Sequence, residues 1–242
     1  VCTVILLSRP GHAFPLLMAA NRDEMLDRPW LPPAAHWPDQ PGIVGGMDRL
    51  AGGTWLAVNG AGMVAAVLNR TGSLGPAAGR RSRGDLPLLA LGHPGAAQAA
   101  AALAGLDGGA YRSFNLVIAD ADGAYVVRGM GQGATDMAAL APGLHMVTAS
   151  DPDDLANPRV ARHLPEFARA QPPCPPDWDA WQTLLRDRDG RPEEALNVPP
   201  TRGFGTASSA LLAASPQGPR CFLFAAGPPG QAPYRDVAWP EC

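Results

Sequence analysis

Short apolar runs punctuated by Gly, Pro, Asn and Asp dominate the 242-residue chain. Residues 1–8 (VCTVILLS) are β-branched at Val1, Thr3, Val4 and Ile5 and predict a buried strand. A turn at Arg9–His12 leads to a second apolar run, Phe14–Ala20, so the two form a hairpin ending in Asn21-Arg22-Asp23-Glu24. Residues 25–42, rich in Pro and Trp, read as an ordered loop. Three further strands follow over Ile43–Asp48, Gly52–Val58 and Met63–Asn69, with Asn59-Gly60 marking the hairpin between the last two. Asp85–Leu91 and Pro94–Leu106 are rich in the Ala and Leu that favour helix. Ser113–Asp120 and Ala124–Arg128 flank a turn at Asp122-Gly123, and His145–Thr148 is a short strand. Helices are predicted over 157–169 and 178–188, separated by a Pro-rich stretch that cannot be helical, and Ser208–Ala214 and Arg220–Ala226 close the chain as strands. Strand runs kept apart from helix runs predict one layered α+β domain over residues 1–242, not alternating βαβ units.

Composition narrows the function. Hydrophobic residues make up 46 % and charged residues 17 %, enough apolar material for a sizeable core. A formal net charge of −3 argues against nucleic acid or an anionic membrane as main partner. All 19 basic residues are Arg, so no Lys is present to form a Schiff base or serve as general base. No stretch approaches the roughly 18 apolar residues of a membrane span, and Val4–Leu7 is too short for a signal peptide. A soluble, cytoplasmic protein with free thiols is expected. Cys2, Cys174, Cys221 and Cys242 are far apart in sequence and the histidines are scattered, so neither a metal site nor a bound cofactor is expected.

Candidate chemistry gathers at the amino terminus. A Cys that becomes the first residue of a mature chain places its thiol beside a free α-amine, whose reference pKa of about 7.7–8.0 lets it take the thiol proton near neutrality. The alternative for Cys2 is a small hydrophobe packed in a strand. If the first two strands pair, Asn21–Glu24 lies beside Cys2. Arg22 then holds a thiolate or a carboxylate, Asp23 orients the α-ammonium and Asn21 bonds substrate; the plain alternative is a solvated ion pair. Strand alternation puts Asn21 and Asp23 on one face and Arg22 and Glu24 on the other, so a slip of one residue exchanges the partners. Asn69 closes its strand with an amide able to donate to an oxyanion, or to cap a turn before Thr71-Gly72. Trp30, Trp37 and Trp55 are candidates for an apolar acyl pocket or for core packing. Gly129–Gly133 reads as a turn, lacking the context of a nucleotide loop.

Four segments taken together resemble a known family. Val1–Leu7, Ala20–Glu24 with Arg28-Pro29, Gly45–Leu56 and Leu68-Asn69-Arg70 look like the NRDE family, also called the transport-and-Golgi-organisation protein 2 family. Weaker echoes run through Ser82–Leu86, Phe114–Leu116, Phe204–Thr206 and Ser208-Ser209. The resemblance implies the αββα fold of N-terminal nucleophile hydrolases, a four-layer sandwich of two antiparallel sheets, similar to penicillin V acylase and the bile-salt hydrolases. It implies cleavage of a linear amide bond through an acyl-enzyme on Cys2, with Asn21, Arg22, Asp23 and Asn69 in the catalytic set. Substrate contacts are expected from Glu24, Trp55, Ser150 and Arg202, and a small-molecule amide or acyl compound is the expected substrate. The sequence departs from the family at three points. Position 1 is Val, where the family starts with Met, and a free amine at Cys2 requires its removal. A Ser-Asn pair is replaced by Ala149-Ser150 after Thr148, and the Arg that often follows Gly-Thr is Ala207, with Arg202 nearby. These departures raise an alternative: a non-catalytic binding or trafficking protein holding haem or a lipid-like ligand, with Cys174-Pro175 as a haem-iron ligand in its haem version.

Overall fold

The computed structural model describes residues 2–239, apart from the side chain of Arg220. The first strand, β1 (Thr3–Ser8), lies in the interior of a six-stranded antiparallel sheet, between β2 (Leu16–Met25) and β10 (Gly143–Val147). The order continues from β2 through β11 (Phe204–Ser215) and β12 (Gly218–Ala225) to β13 (Tyr234–Asp236). A second antiparallel sheet runs in chain order through β3 (Trp30–Ala34), β4 (Ile43–Asp48), β5 (Thr54–Asn59), β6 (Val64–Asn69), β7 (Phe114–Ala119), β8 (Ala124–Gly129) and β9 (Asp136–Leu140).

Side-chain alternation turns these two sheets into four layers. Even-numbered positions of β1 and β2, such as Val4, Leu6, Leu16 and Met18, meet Val44, Leu56, Val58 and Leu68 between the sheets. Odd positions, Ile5, Leu7, Leu17 and Ala19, pack on α3 (Pro158–Arg169) and α4 (Asp179–Leu185) through Val160, Phe167, Trp181 and Leu185. The outer face of the second sheet is covered by α1 (Asp85–Leu91) and α2 (Ala96–Leu103). The expected αββα sandwich is therefore the observed architecture.

Three stretches differ from the sequence reading. Asn21–Glu24 does not follow the second strand; it lies inside β2, paired with Ser209, Ser208, Thr206 and Gly205 of β11. The 25–42 segment contains β3, which tolerates Pro32 and Pro33 because it is a sheet edge. Edge strands β9 and β13 leave little trace in the sequence, since their alternation is weak. No helix among the described residues is long and apolar enough to cross a membrane.

Candidate active site

The β1–β2 register pairs Thr3 with Asn21, which brings Cys2 to the level of Arg22. Cys2 continues the even positions of β1 and packs at the margin of the inter-sheet core. Its Sγ donates to the backbone carbonyl of Asp23 at 3.5 Å. Burial is the main influence on the thiol and pushes its pKa up; Asp23 pushes the same way, and Arg22 opposes them.

Arg22 points to the same side. Its side chain is only 5 % exposed, its Cζ sits 4.2 Å from the Trp55 ring centroid, and its Nη2 is 3.8 Å from Glu24 Oε2. The buried Arg22 Nη1 has no hydrogen-bond partner. Such a donor is costly to leave unmet and is available to a ligand. Arg28 holds the second carboxylate of this face, with Nε 2.5 Å from Asp48 Oδ2 and 3.9 Å from Glu24 Oε2.

Asn69, at the end of β6, lines the same cavity of ≈ 300 Å³ as Cys2, Arg22, Glu24 and Trp55. Among the described residues no hydrogen bond reaches its carboxamide, which leaves the amide free to donate. The structure thus brings together Cys2, Arg22, Glu24, Trp55 and Asn69 in one cavity.

Asn21 and Asp23 point the other way, toward the helices. The Asn21 amide donates to the carbonyls of Leu185 and Leu196 and its Oδ1 accepts from Ser209. Ser209 in turn meets the Tyr234 hydroxyl at 2.6 Å. The Asp23 carboxylate accepts from Arg159 Nη1 at 3.1 Å and Thr206 Oγ1 at 2.7 Å, and Arg159 also donates to Thr3 Oγ1 at 3.0 Å. These hydrogen bonds of both side chains run to the helix side of the sheet and fix the strand that presents Arg22.

Two expected substrate contacts lie elsewhere. The Ser150 hydroxyl accepts from Asn157 and meets Thr148, and its carbonyl accepts from Asn115. Arg202 is an exposed turn residue with φ of 51°, between the bridged Thr201 and Phe204. Neither lines the cavity at Cys2. Ala207 is the extra residue of a bulge in β11 opposite Arg22 and Asp23, a place where sheets often re-aim side chains near a site. Of the tryptophans, Trp55 lines the cavity, Trp30 packs edge-on against Trp55 and Phe224, and Trp37 donates to the Gly52 carbonyl.

Sequence reasoning missed most of the cavity's far wall, formed by Arg80, Arg81, Arg83 and Arg112. The signal was present in the run Arg80-Arg81-Ser82-Arg83. Arg159 left none, because its partner stands 136 residues earlier in the chain. Cys174 is exposed and lines no part of this cavity. Cys2, Cys174 and Cys221 are free thiols, while Val1 and Cys242 lie outside the described residues. Among the described residues, no three of His, Cys, Asp and Glu gather as a metal site.

The family model for transport and Golgi organisation 2 matches residues 1–223. The chain belongs to that family. No curated protein matches it. Among solved structures, it is similar to a Caenorhabditis elegans ortholog of N-acylethanolamine-hydrolyzing acid amidase, with a TM-score of 0.62 and 12 % identity over 89 % of this chain and 93 % of that one. It is also similar to a C2A mutant of conjugated bile acid hydrolase from Clostridium perfringens, with a TM-score of 0.55 and 11 % identity over 98 % of this chain and 92 % of that one. The family member therefore has the N-terminal nucleophile hydrolase fold.

Proposed function

We propose that this protein is an amidohydrolase that cleaves a linear C–N amide bond through an acyl-enzyme on Cys2. The observation that carries the reading is the shared cavity: a thiol, a buried guanidinium with an unmet donor and an unengaged carboxamide face one space. Both solved structures named above are hydrolases by name, and this supports the assignment. The mechanism requires loss of residue 1, so that Cys2 carries the α-amine. The amine takes the thiol proton as Sγ bonds to the substrate carbonyl carbon. Asn69 donates to the oxyanion, and Arg22 stabilises the thiolate against the burial that raises its pKa. Collapse of the tetrahedral intermediate breaks the C–N bond, and the ammonium returns its proton to the departing nitrogen. Water then attacks the thioester, the amine accepting its proton, and releases the acid with the thiol restored. Asp23 acts as a positioning residue that steadies the chain end and strand β2.

Intact mass of the natively expressed protein, followed by site-resolved alkylation with iodoacetamide, tests this directly. The expected result is a chain starting at Cys2 whose thiol reacts near neutral pH, with amide hydrolysis lost in step. Cys174, exposed and outside the cavity, is the internal reference. In the active protein, Asn69→Ala lowers kcat by about 10²–10³ with little change in KM. A native chain that starts at Val1, or an inert Cys2 thiol, removes the enzymatic reading. One observation favours a second reading in that event: the ≈ 300 Å³ cavity with the unmet Arg22 Nη1 on its wall then serves as a binding pocket without a nucleophile.

A further inference from the structure

Two spaces meet at Cys2, and they differ in size and charge. On the inter-sheet side, between Leu56, Ala66, Leu68 and Ala210, lies a recess of only ≈ 20 Å³. That is room for about one water and no acyl chain. On the other side lies the ≈ 300 Å³ cavity, whose wall carries Arg22, Arg28, Arg80, Arg81, Arg83 and Arg112 against two carboxylates, Glu24 and Asp48. Glu24 and Asp48 are already engaged by Arg22 and Arg28, and Arg81 has Asp85 at 3.5 Å.

The other three arginines have no such counter-charge. Arg83 donates to the carbonyls of Ser73, Gly75 and Ser113 and to the Ser73 hydroxyl. Arg80 donates to the carbonyls of Gly109, Tyr111 and Gly131, and Arg112 to those of Gly72, Leu74 and Pro76. Among the described residues no carboxylate lies within 4.0 Å of any of these three guanidiniums. Neutral carbonyls fix the position of a guanidinium and leave its charge in place. A protein with a net charge of −3 thus gathers positive charge on one wall of the space beside its candidate nucleophile. The Arg83 pKa is driven down to about 10, by burial first and by the neighbouring Arg112 second.

We infer that the substrate of the Cys2 site carries an oxyanion group, a carboxylate or a phosphate, bound by the Arg80–Arg83–Arg112 wall, and that a neutral long-chain amide is not its natural ligand. The inference rests on the hydrolase reading for the reaction, but the anion site stands on its own geometry. An oxyanion accepts bidentate bonds from the remaining guanidinium N–H groups and supplies the counter-charge that they lack. The small recess leaves the arginine-lined side as the only one of the two spaces able to hold the bulk of a substrate.

Binding to the full-length Cys2→Ala protein separates this inference from catalysis, because that variant lacks the nucleophile. Calorimetric titration at low ionic strength uses inorganic phosphate, succinate and neutral succinamide as probes. Phosphate or succinate is expected to bind at least tenfold more tightly than succinamide, and the stronger of the two identifies the head group. Arg80→Gln and Arg112→Gln are expected to weaken that binding tenfold or more. Arg81→Glu changes a more exposed position, does not remove a carbonyl staple, and is expected to weaken it at least threefold. Anions that bind no better than succinamide, or anion binding unmoved by Arg81→Glu in a folded protein, overturn the inference. An inert thiol in the native chain would instead overturn the hydrolase reading and leave the anion site standing.

Discussion

Arg22 is held from one side by a tryptophan face and from another by a distant carboxylate, with Nη1 unmet. A guanidinium so placed has one clear effect on the neighbouring sulfur: it lowers a thiol pKa that burial raises. Arg22→Gln removes that influence, so the pKa of Cys2 moves further up. At fixed neutral pH a rise of about one in that pKa leaves about a tenth as much thiolate, and alkylation slows about tenfold. Arg22→Lys keeps the charge but not the flat stack on Trp55, and its profile falls between the two. The pH dependence of Cys2 alkylation reads both variants; superimposable profiles for wild type and Arg22→Gln would remove Arg22 from the mechanism. At this scale much is legible in the sequence. Cys2, Arg22 and Asn69 stand at strand ends or at fixed alternation from an apolar run, and such positions survive folding. The expected substrate contact of Ser150 rests on the place of a family Ser-Asn pair and that of Arg202 on proximity in sequence, and neither says which cavity a turn lines.

Strand β2 shows why charge misleads at the scale of an element. Four polar residues after an apolar run read as the end of a hairpin, with a solvated ion pair as the alternative, yet the sheet continues through them because the side chains find partners. Asn21 bonds two carbonyls across the helix interface, Asp23 meets Arg159 and Thr206, and Arg22 stacks on Trp55. Long-range pairing supplies what local pattern cannot. The Gly45-Gly46 pair in β4 has a comparable explanation. A Cβ at Gly46 would enter the Trp55 ring, and one at Gly45 would lie 2.5 Å from Ala57 Cβ. Gly46 therefore lets Trp55 lie across its neighbouring strand beneath Arg22, while Gly45 lets β4 approach β5 at Ala57. Gly46→Ala is expected to tilt the indole, destabilise the fold by about 1–3 kcal/mol through overpacking and slow Cys2 alkylation by the same route as Arg22→Gln. Urea denaturation together with the alkylation profile checks both parts. Unchanged stability would show that the ring has room to move.

Across the whole molecule, the layers are tied together by polar groups as well as by apolar ones. The buried Arg159–Asp23 pair links α3 to the middle of the six-stranded sheet, with side chains 5 % and 0 % exposed. Asp23→Ala leaves a buried cation and is expected to cost about 3–5 kcal/mol, while Asp23→Ala with Arg159→Met costs less than Asp23→Ala alone; chemical denaturation of the set measures this. A second tie responds to pH. His145, on the β10 edge paired with Leu6 of β1, faces an acceptor at each ring nitrogen: Asp153 Oδ2 at 2.6 Å from Nδ1 and the Ala141 carbonyl at 2.7 Å from Nε2. Only the imidazolium donates at both, so the hydrogen bond to Asp153 raises the His145 pKa above 6.5, helped by the Ala141 carbonyl and opposed by burial. Asp153 also accepts from the Met146 amide at 2.7 Å, which joins the proton to the strand backbone. A folded-state pKa above the unfolded one means that the native state binds the proton more tightly. The stabilisation is complete below the unfolded pKa of about 6.5 and is lost as pH rises through the raised folded value. The melting temperature is therefore expected to fall from pH 6 toward pH 8.5, and His145→Gln, which cannot donate at both positions, should flatten that slope. Equal slopes in the two proteins would place the pH response at another group and leave β10 held by its ladder alone.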